Sequence, residues 1–354
     1  MGEVMNESGM NRRRLLQASL LGGAGLLGTG VLAGCAGADA APSAVSDGKG
    51  SGSGWAKGMN LKFFAGGGAG DLYASVVVNG AKKAAQDLGC KIDFVYSNWD
   101  PNTAIRQLSE IIATKPDGIA MDGSPGDDAI MPLAARAAES DVTMTYWDVD
   151  VPKVRKAYGG GYAGADLYSF GFNLATQAAK EFGLGAGDGA VVYGFFASTG
   201  FGVRDNGVAE GLEKAGVDVT KITMPVESGS NPQSITPIIA GGLAKNPNTK
   251  LISLSGGQWV GTSPAYLKAA GKKPGEVKVV GFDFLPSVID AMNGNWAQMT
   301  AVMQPYLQGY LSVLSLCLTR KWHFQPLVEN TATGYMTQEN YKTYVELAKQ
   351  GIAG

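Results

Sequence analysis

The fold of this chain is decided by the stretch Val277-Lys278-Val279-Val280-Gly281-Phe282-Asp283 and its continuation to Gln304-Pro305. The first six residues are rich in valine and follow a Pro-Gly turn, which predicts a short buried strand that stops at the aspartate. A short helix is predicted to open at Pro286, and residues 299–303 predict a second strand. A strand–helix–strand unit of this kind indicates an α/β fold with a parallel sheet.

Asp283 and Gln304 each stand at the carboxyl end of a predicted strand. In open α/β sheets, ligands bind outside the carboxyl ends of the strands. A carboxylate accepts hydrogen bonds and an amide both donates and accepts them, so this pair suits a ligand rich in hydroxyl groups. The alternative is that Asp283 caps the helix that follows it.

The composition describes a chain with no strong charge bias. It has 354 residues, 45% of them hydrophobic, and a net charge of −2. The length is typical of two domains, and the hydrophobic content is ample for their cores. No basic patch or acidic tail is visible, which argues against nucleic acid as a partner.

The amino terminus has the pattern of an export signal. Arg12-Arg13 lie in a segment that resembles a twin-arginine motif, and Leu32-Ala33-Gly34-Cys35 match a lipobox. We therefore expect residues 1–34 to be an export signal, and lipid on Cys35 to hold the chain at a membrane surface. The alternative is an uncleaved signal anchor. Residues 35–58 are rich in Gly, Ser and Ala and predict a flexible tether.

Strand and helix patterns alternate from residue 60 onward, in two similar series joined by a Gly-rich crossing at residues 158–162. Such alternation predicts two α/β lobes, each built on a parallel sheet. The predicted strands are 61–65, 91–96, 118–121, 142–146, 190–194, 220–226, 251–254, 277–282 and 299–303. The predicted helices include 72–88, 102–114, 129–140, 166–182, 202–215, 232–243, 264–270, 287–292, 306–318 and 336–350.

No cofactor or metal is predicted from the sequence. The Gly-rich loop at residues 66–70 fails the dinucleotide spacing, because Asp71 stands where a Gly or Ala is needed. His323 is the only histidine and has no cluster of metal ligands around it in the sequence. Cys90 and Cys317 have the contexts of two separate core positions, although an exported protein could pair them.

Several short motifs follow one another in a characteristic order. They are Asn79-Gly80-Ala81, Pro116-Asp117-Gly118-Ile119, Arg204-Asp205-Asn206-Gly207 and Gly281-Phe282-Asp283 followed by Gln304. Their order and spacing over residues 60–329 resemble the type I periplasmic solute-binding proteins, in particular the ribose, galactose and xylose binders of sugar ABC transporters.

This resemblance implies two Rossmann-like lobes joined by a three-strand hinge, with the ligand held between them. The first lobe would comprise residues 59–164 plus 305–325, and the second residues 165–304 plus 326–354. The implied function is that of a monomeric lipoprotein without catalytic activity. It would deliver a small carbohydrate or polyol to an ABC transporter permease by lobe closure.

Nine ligand-binding positions carry over from the resemblance, residue by residue. They are Asp71, Tyr73, Trp147, Asp148, Arg204, Gln258, Trp259, Asp283 and Gln304. The chain departs from the family pattern at Ala74, where an aromatic residue is common, and at Trp147, where a polar one is usual. The segment 227–230 also lacks an aromatic residue often found there, so the ring platform for the sugar must be built differently.

Other interpretations remain open from the sequence alone. Tyr73, Trp147 and Trp259 could be core residues, and Arg204 could be a surface ion-pair partner. Trp99 is interpreted as a loop-packing residue. Asp148 and Asp283 could serve an exported glycoside hydrolase, although the sequence shows no clear acid–base pair. A sensory domain that docks on a receptor would share the same lobe closure.

The lipobox generates a direct prediction. Because a processed lipoprotein begins at the lipid-carrying cysteine, mass spectrometry of protein extracted from its own cells should show Cys35 as the first residue, with lipid attached. Replacing Cys35 with Ser should release the chain from the membrane fraction. An intact leader on the extracted protein would contradict the prediction.

Overall fold

The computed structural model describes residues 54–198, 200–229, 231–332 and 334–352. The predicted export signal, Cys35 and most of the predicted tether lie outside these residues. Within the described part of the chain, no helix is both long enough and apolar enough to cross a bilayer.

The first lobe is built on a six-stranded parallel sheet. Its strand order is β11-β5-β4-β3-β1-β2, and the helices that connect neighbouring strands cover its faces. The elements up to the first crossing are β1 Asn60–Phe64, α1 Leu72–Leu88, β2 Lys91–Val95, α2 Pro101–Ala113, β3 Gly118–Asp122, α3 Asp127–Glu139, β4 Thr143–Asp148, α4 Pro152–Tyr158 and β5 Gly161–Gly164.

The second lobe repeats this plan with the strand order β12-β10-β9-β8-β6-β7. Its strands are parallel apart from β12, which runs antiparallel to β10. The elements are α5 Leu167–Phe182, β6 Gly189–Gly194, α6 Phe201–Lys214, β7 Asp218–Thr223, α7 Thr236–Lys245, β8 Thr249–Leu254, α8 Gly257–Gly261, α9 Ser263–Ala269, β9 Lys278–Phe282, α10 Pro286–Asn293, β10 Met299–Val302, α11 Pro305–Trp322, β11 Val328–Asn330, β12 Gly334–Thr337 and α12 Val345–Lys349, of which α11 and β11 belong to the first lobe.

The predicted fold class, two α/β lobes with parallel sheets, is confirmed. The chain crosses between the sheets after β5, after β10 and after β11. The third crossing therefore lies beyond Asn330 and not at the expected lobe boundary between residues 325 and 326. The reason is that β11 pairs in parallel with β5, with Val328 opposite Tyr162, so residues 328–330 belong to the first sheet.

Two further expectations are corrected. Residues 54–58 do not continue a flexible tether, because Trp55 stacks on Trp322 with ring centroids 4.1 Å apart and the buried Ala56 donates its N–H to the carbonyl of Leu88 at 2.9 Å. Residues 336–350 do not form one helix. Instead β12 covers the open edge of β10 before a 3-10 turn at Tyr341–Tyr344 and the short α12.

The two cysteines occupy one region of the first lobe. Cys90 and Cys317 are both fully buried in the same hydrophobic cluster, between the end of α1 and α11. A hydrogen bond with the Cys317 thiol lowers the pKa of Cys90. The two thiols are therefore neighbours, but both cysteines are buried and free, so the two core positions are not joined by a disulfide.

Each lobe contains one pair of helices whose backbones approach closely through glycine. In the first lobe, a Cβ added to Gly80 of α1 would overlap the carbonyl oxygen of Tyr306, and one added to Gly309 of α11 would overlap that of Val77. In the second lobe, Gly171 of α5 allows the same approach to the carbonyl of Arg204 on α6. These contacts set the distance between the paired helices.

We predict that Gly309→Ala destabilises the protein. The added methyl group would meet backbone atoms, which cannot move aside as a side chain can, so a loss of roughly 1–3 kcal/mol or more is expected in a denaturant titration. Gly241→Ala is the matched control, because it lies in α7 with no atom near its Cβ position. That variant should be neutral or gain up to about 1 kcal/mol. Equal effects of both changes would contradict the role of close backbone approach.

Candidate functional site

A cavity of about 450 Å³ lies between the two lobes. Both sheets contribute the carboxyl ends of their strands and the loops that follow, as expected for open α/β sheets. Its volume falls in the range of about 300–1,000 Å³ that is usual for small-molecule sites. The side chains that matter most here are Tyr73, Trp99, Asp148, Arg204, Trp259 and Asp283.

Three strand-end residues adopt left-handed backbone conformations. Asp148 has φ 61°, Asp283 has φ 67° and Gln304 has φ 52°. Such φ values are uncommon outside glycine and cluster at functional sites, where the surrounding structure holds the strain. The reversal turns the chain sharply at the ends of β4, β9 and β10, where the cavity begins.

Asp148 is the carboxylate of the first lobe. Its Oδ1 accepts a hydrogen bond from the hydroxyl of Tyr73 at 3.3 Å, and its side chain is almost fully buried. The hydroxyl of Tyr162 donates to its carbonyl oxygen at 2.8 Å, which holds the backbone turn. Burial raises the pKa of Asp148 to about 7, helped by the nearby charges of Asp122 and Asp283 and opposed by Arg204.

Asp283 is its counterpart in the second lobe. Its Oδ2 accepts the N–H of Gly257 at 3.2 Å, while its Oδ1 is buried and has no hydrogen-bond partner among the described residues. Burial raises the pKa of Asp283 to about 6. The helix that follows has Leu285 at its N-cap with no side-chain hydrogen bond, so Asp283 does not cap it.

Arg204 is the cation of the site and is 5% exposed, so it is no surface residue. Its guanidinium lies 4.1 Å from the ring centroid of Phe282. It donates to the carbonyl of Ser255 and, at 3.2 Å, to the hydroxyl of the same residue. Its Nε is 3.9 Å from Oδ1 of Asp205 and has no hydrogen-bond partner among the described residues.

Aromatic rings from both lobes line the same cavity. Trp99 meets Phe201 edge-on across the cleft with centroids 6.2 Å apart, and Trp259 lies 5.0 Å from Phe195. Such rings cover the C–H faces of a polyol. Trp99, interpreted from the sequence as a loop-packing residue, does pack against the loop at Gly66, and it also lines the cavity. The signal was available, since Trp99 follows the carboxyl end of β2 just as Asp148 ends β4.

Six of the nine predicted residues line the cavity, and three do not. The six are Tyr73, Asp148, Arg204, Gln258, Trp259 and Asp283. Trp147 is fully buried beneath the cavity, where its Nε1 donates to the carbonyl of Phe64 at 3.1 Å and its ring stacks on Phe63. The strand alternation that turns Asp148 toward the cleft turns Trp147 into the core.

Asp71 and Gln304 do not line the cavity, but Asp71 supports it through hydrogen bonds from two lining residues. Asp71 caps α1 through the N–H of Ala74 at 2.8 Å, and its Oδ2 accepts from Trp99 Nε1 at 3.1 Å and from Gln258 Nε2 at 3.4 Å. The last contact joins the two lobes. Gln304 is half-buried at the N-cap of α11.

The sequence reasoning missed a layer of small polar groups behind these residues. Asp122, at the end of β3, accepts the N–H of Ser124 at 3.0 Å, and burial raises its pKa to about 6. Ser255, at the end of β8, donates to Asp205 at 2.8 Å. Both follow strand ends and could have been found by that rule. Among the described residues, no group of three or more His, Cys, Asp or Glu side chains is placed to hold a metal ion.

The raised pKa of Asp148 predicts how stability depends on pH. Its folded-state pKa of about 7 lies above the ordinary value of 3.8, so the folded state keeps a proton that the unfolded state releases. This contribution to stability is fully present below pH 3.8, is lost progressively as the pH rises toward the folded-state pKa of about 7, and is absent above it. Asp148→Asn removes this dependence on pH. From about pH 5 to pH 8, the free energy of unfolding of the variant should therefore rise by about 2 kcal/mol relative to that of wild type.

The control is Asp150→Asn. Asp150 is partly exposed and forms two hydrogen bonds with Arg155, at 2.7 and 2.8 Å. In denaturant titrations, the difference in the free energy of unfolding between Asp150→Asn and wild type should be the same at about pH 5 and at about pH 8. The groups that face Asp148 are Tyr73, Asp122, Arg204 and Asp283. A pH-independent effect of Asp148→Asn would show that the carboxylate is ionised throughout.

Comparisons with known proteins agree with this architecture. Three solved structures are similar in fold. An ABC transporter solute-binding protein from Burkholderia graminis C4D1M, in complex with D-arabinose, has a TM-score of 0.72 and 23% identity, with 82% of this chain and 98% of that chain covered. A carbohydrate transporter from Acidothermus cellulolyticus 11B, in complex with myo-inositol, has a TM-score of 0.72 and 20% identity, with 83% and 99% covered. GanP, a glucose-galactose binding protein from Geobacillus stearothermophilus, has a TM-score of 0.69 and 21% identity, with 79% and 98% covered.

A comparison with curated proteins found no match. The periplasmic binding protein domain family matches residues 63–318, which is more than half of the chain. The chain therefore belongs to the periplasmic binding protein domain family.

Proposed function

We propose that this protein is an extracytoplasmic solute-binding lipoprotein that delivers a monosaccharide or sugar alcohol to an ABC permease. The observation that carries the proposal is the cavity between the lobes, which combines two buried carboxylates, one guanidinium and several aromatic rings. Acceptors and donors of this kind pair hydroxyl groups, and the rings cover the apolar faces of a sugar. Structures of similar fold hold D-arabinose, myo-inositol and D-allose.

Lobe closure is the mechanism that we propose for capture. The lobes touch through the Gln258–Asp71 hydrogen bond and the edge contact of Trp99 with Phe201. Separating the lobes would break both contacts and wet the carboxylates, whereas closure around a ligand excludes water from them. The closed form would then present a continuous surface to the permease.

Binding without turnover is part of the proposal. A glycoside hydrolase needs two carboxylates whose environments push their pKa values apart, so that one is an acid and the other is ionised. Here the pKa of Asp148 is raised to about 7 and that of Asp283 to about 6, both mainly by burial. Two carboxylates shifted in the same direction suit a binding site, and a bound sugar should be recovered unchanged.

A ligand screen tests the proposal directly. The probes are D-arabinose, myo-inositol, D-galactose, D-allose and D-tagatose, with an amino acid and a nucleoside as other ligand classes. A ligand that binds only the folded state raises the melting temperature by mass action. We expect at least one sugar or polyol to do so. A shift by the amino acid or the nucleoside alone would contradict the proposed class.

For any sugar that binds, Asp283→Ala should weaken the affinity by roughly 30- to 1,000-fold in calorimetry. This corresponds to about 2–4 kcal/mol, because removing the carboxylate leaves hydroxyl donors unpaired in a dry site. Asp290→Ala is the matched control, since Asp290 lies exposed on α10 outside the cavity. That change should leave the affinity intact. Unchanged affinity in Asp283→Ala would remove this carboxylate from the site.

A further inference from the structure

The cavity region holds more buried carboxyl groups than cationic groups. Asp148 and Asp283 line it, and Asp122 lies behind Asp148 and close enough to influence its ionisation. All three carboxylates are at most 6% exposed. Arg204 is the only Lys or Arg side chain among the described residues that line the cavity.

Arg204 already has a carboxylate partner of its own. Asp205 lies 3.9 Å away, and its Oδ2 accepts the N–H of Phe195 at 2.7 Å and the hydroxyl of Ser255 at 2.8 Å. These bonds hold Asp205 in place as a buried acceptor beside the guanidinium. Arg204 thus acts on three buried carboxylates, Asp205, Asp148 and Asp283, so one cation is shared among them. The other nearby guanidinium, Arg155, makes a two-point ion pair with Asp150.

Asp283 provides an independent sign that a donor is missing. The residue lines the cavity, and its Oδ1 is buried and has no hydrogen-bond partner among the described residues. A buried carboxylate oxygen without a donor is costly, and more so when the carboxylate is ionised. A neutral hydroxyl would satisfy the hydrogen bond but not the charge. An ammonium group would satisfy both.

The aromatic lining suits the same chemistry. Tyr73, Trp99, Phe201 and Trp259 face one cavity with the two carboxylates. The face of an aromatic ring attracts a cation, most strongly where water is excluded. Rings and carboxylates together favour a ligand that has both a positive charge and apolar C–H faces.

We propose that the cavity selects a ligand that carries an ammonium group, an amino sugar or an amino polyol, and places its cation against Asp148 and Asp283. This inference rests on the proposed function and narrows its ligand class. The raised pKa values of Asp148, Asp283 and Asp122 follow from the same unmatched burial, and a bound cation would lower them.

The experiment compares ligands that differ only in the charged group. The pairs are D-glucosamine with D-glucose, D-galactosamine with D-galactose, D-mannosamine with D-mannose, and N-methyl-D-glucamine with D-sorbitol. The N-acetyl form of each amino sugar keeps the nitrogen but removes its charge. Dissociation constants are measured by calorimetry on the wild-type chain. We expect the amino member of at least one pair to bind about tenfold tighter or more, since a charge-assisted bond is roughly twice as strong as a neutral one.

Two variants then locate the effect. Asp283→Asn and Asp148→Asn keep the size of the side chain and remove its charge, so each should reduce the preference for the amino member. Asp290→Asn, on the exposed face of α10, should leave the preference unchanged. Melting curves without ligand show that each variant is folded.

The outcomes separate the two proposals. If neutral sugars bind as tightly as their amino partners, or tighter, the inference is overturned and the proposed function stands. If the preference exists but survives both aspartate variants, the assignment of the cation to these carboxylates is wrong. If no member of any pair binds and the wider sugar screen is also negative, both the proposed function and this inference are contradicted. A negative result in these pairs alone, beside binding of a neutral sugar in the wider screen, overturns the inference only.

Discussion

The buried guanidinium of Arg204 contacts residues at the ends of several strands of the second lobe. Arg204 reaches from α6 to the end of β8 through Ser255, to the end of β9 through the ring of Phe282, and to the end of β10 through the sulfur of Met303 at 3.6 Å. Its neighbour Asp205 holds the residue after β6. Because a buried charge must be paired or hydrogen-bonded, these contacts also restrict where the four strands can end.

The placement of Arg204 depends on helix packing. Gly171 of α5 lies against the carbonyl of Arg204, so the two helices approach more closely than side chains would allow. The first lobe solves the same problem with Gly80 and Gly309, which bring α1 and α11 together. In both lobes, glycine contacts therefore set the distance between a pair of neighbouring helices.

The cleft concentrates strain and charge where the sheets meet. Left-handed residues at the ends of β4 and β9 carry carboxylates that burial pushes toward neutrality. A left-handed backbone and a buried carboxylate both cost free energy while the cleft is empty. A ligand that donates hydrogen bonds would pair the carboxylate oxygens and lower that cost. The Asp71–Gln258 contact crosses the same cleft and joins the two lobes.

Hydrophobic periodicity, a local pattern, was enough to predict the two α/β lobes and the order of most elements. The rule that ligands lie at the carboxyl ends of parallel strands pointed to Asp283, and the resemblance of the ordered motifs pointed to Asp148 and Arg204. Three outcomes required the folded chain: Trp99 lines the cavity while Trp147 is buried beneath it, residues 328–330 join the first sheet, and Cys90 adjoins Cys317. Those outcomes depend on which distant segments meet and on the direction of each side chain at a strand end, and neither is encoded within a short stretch of chain.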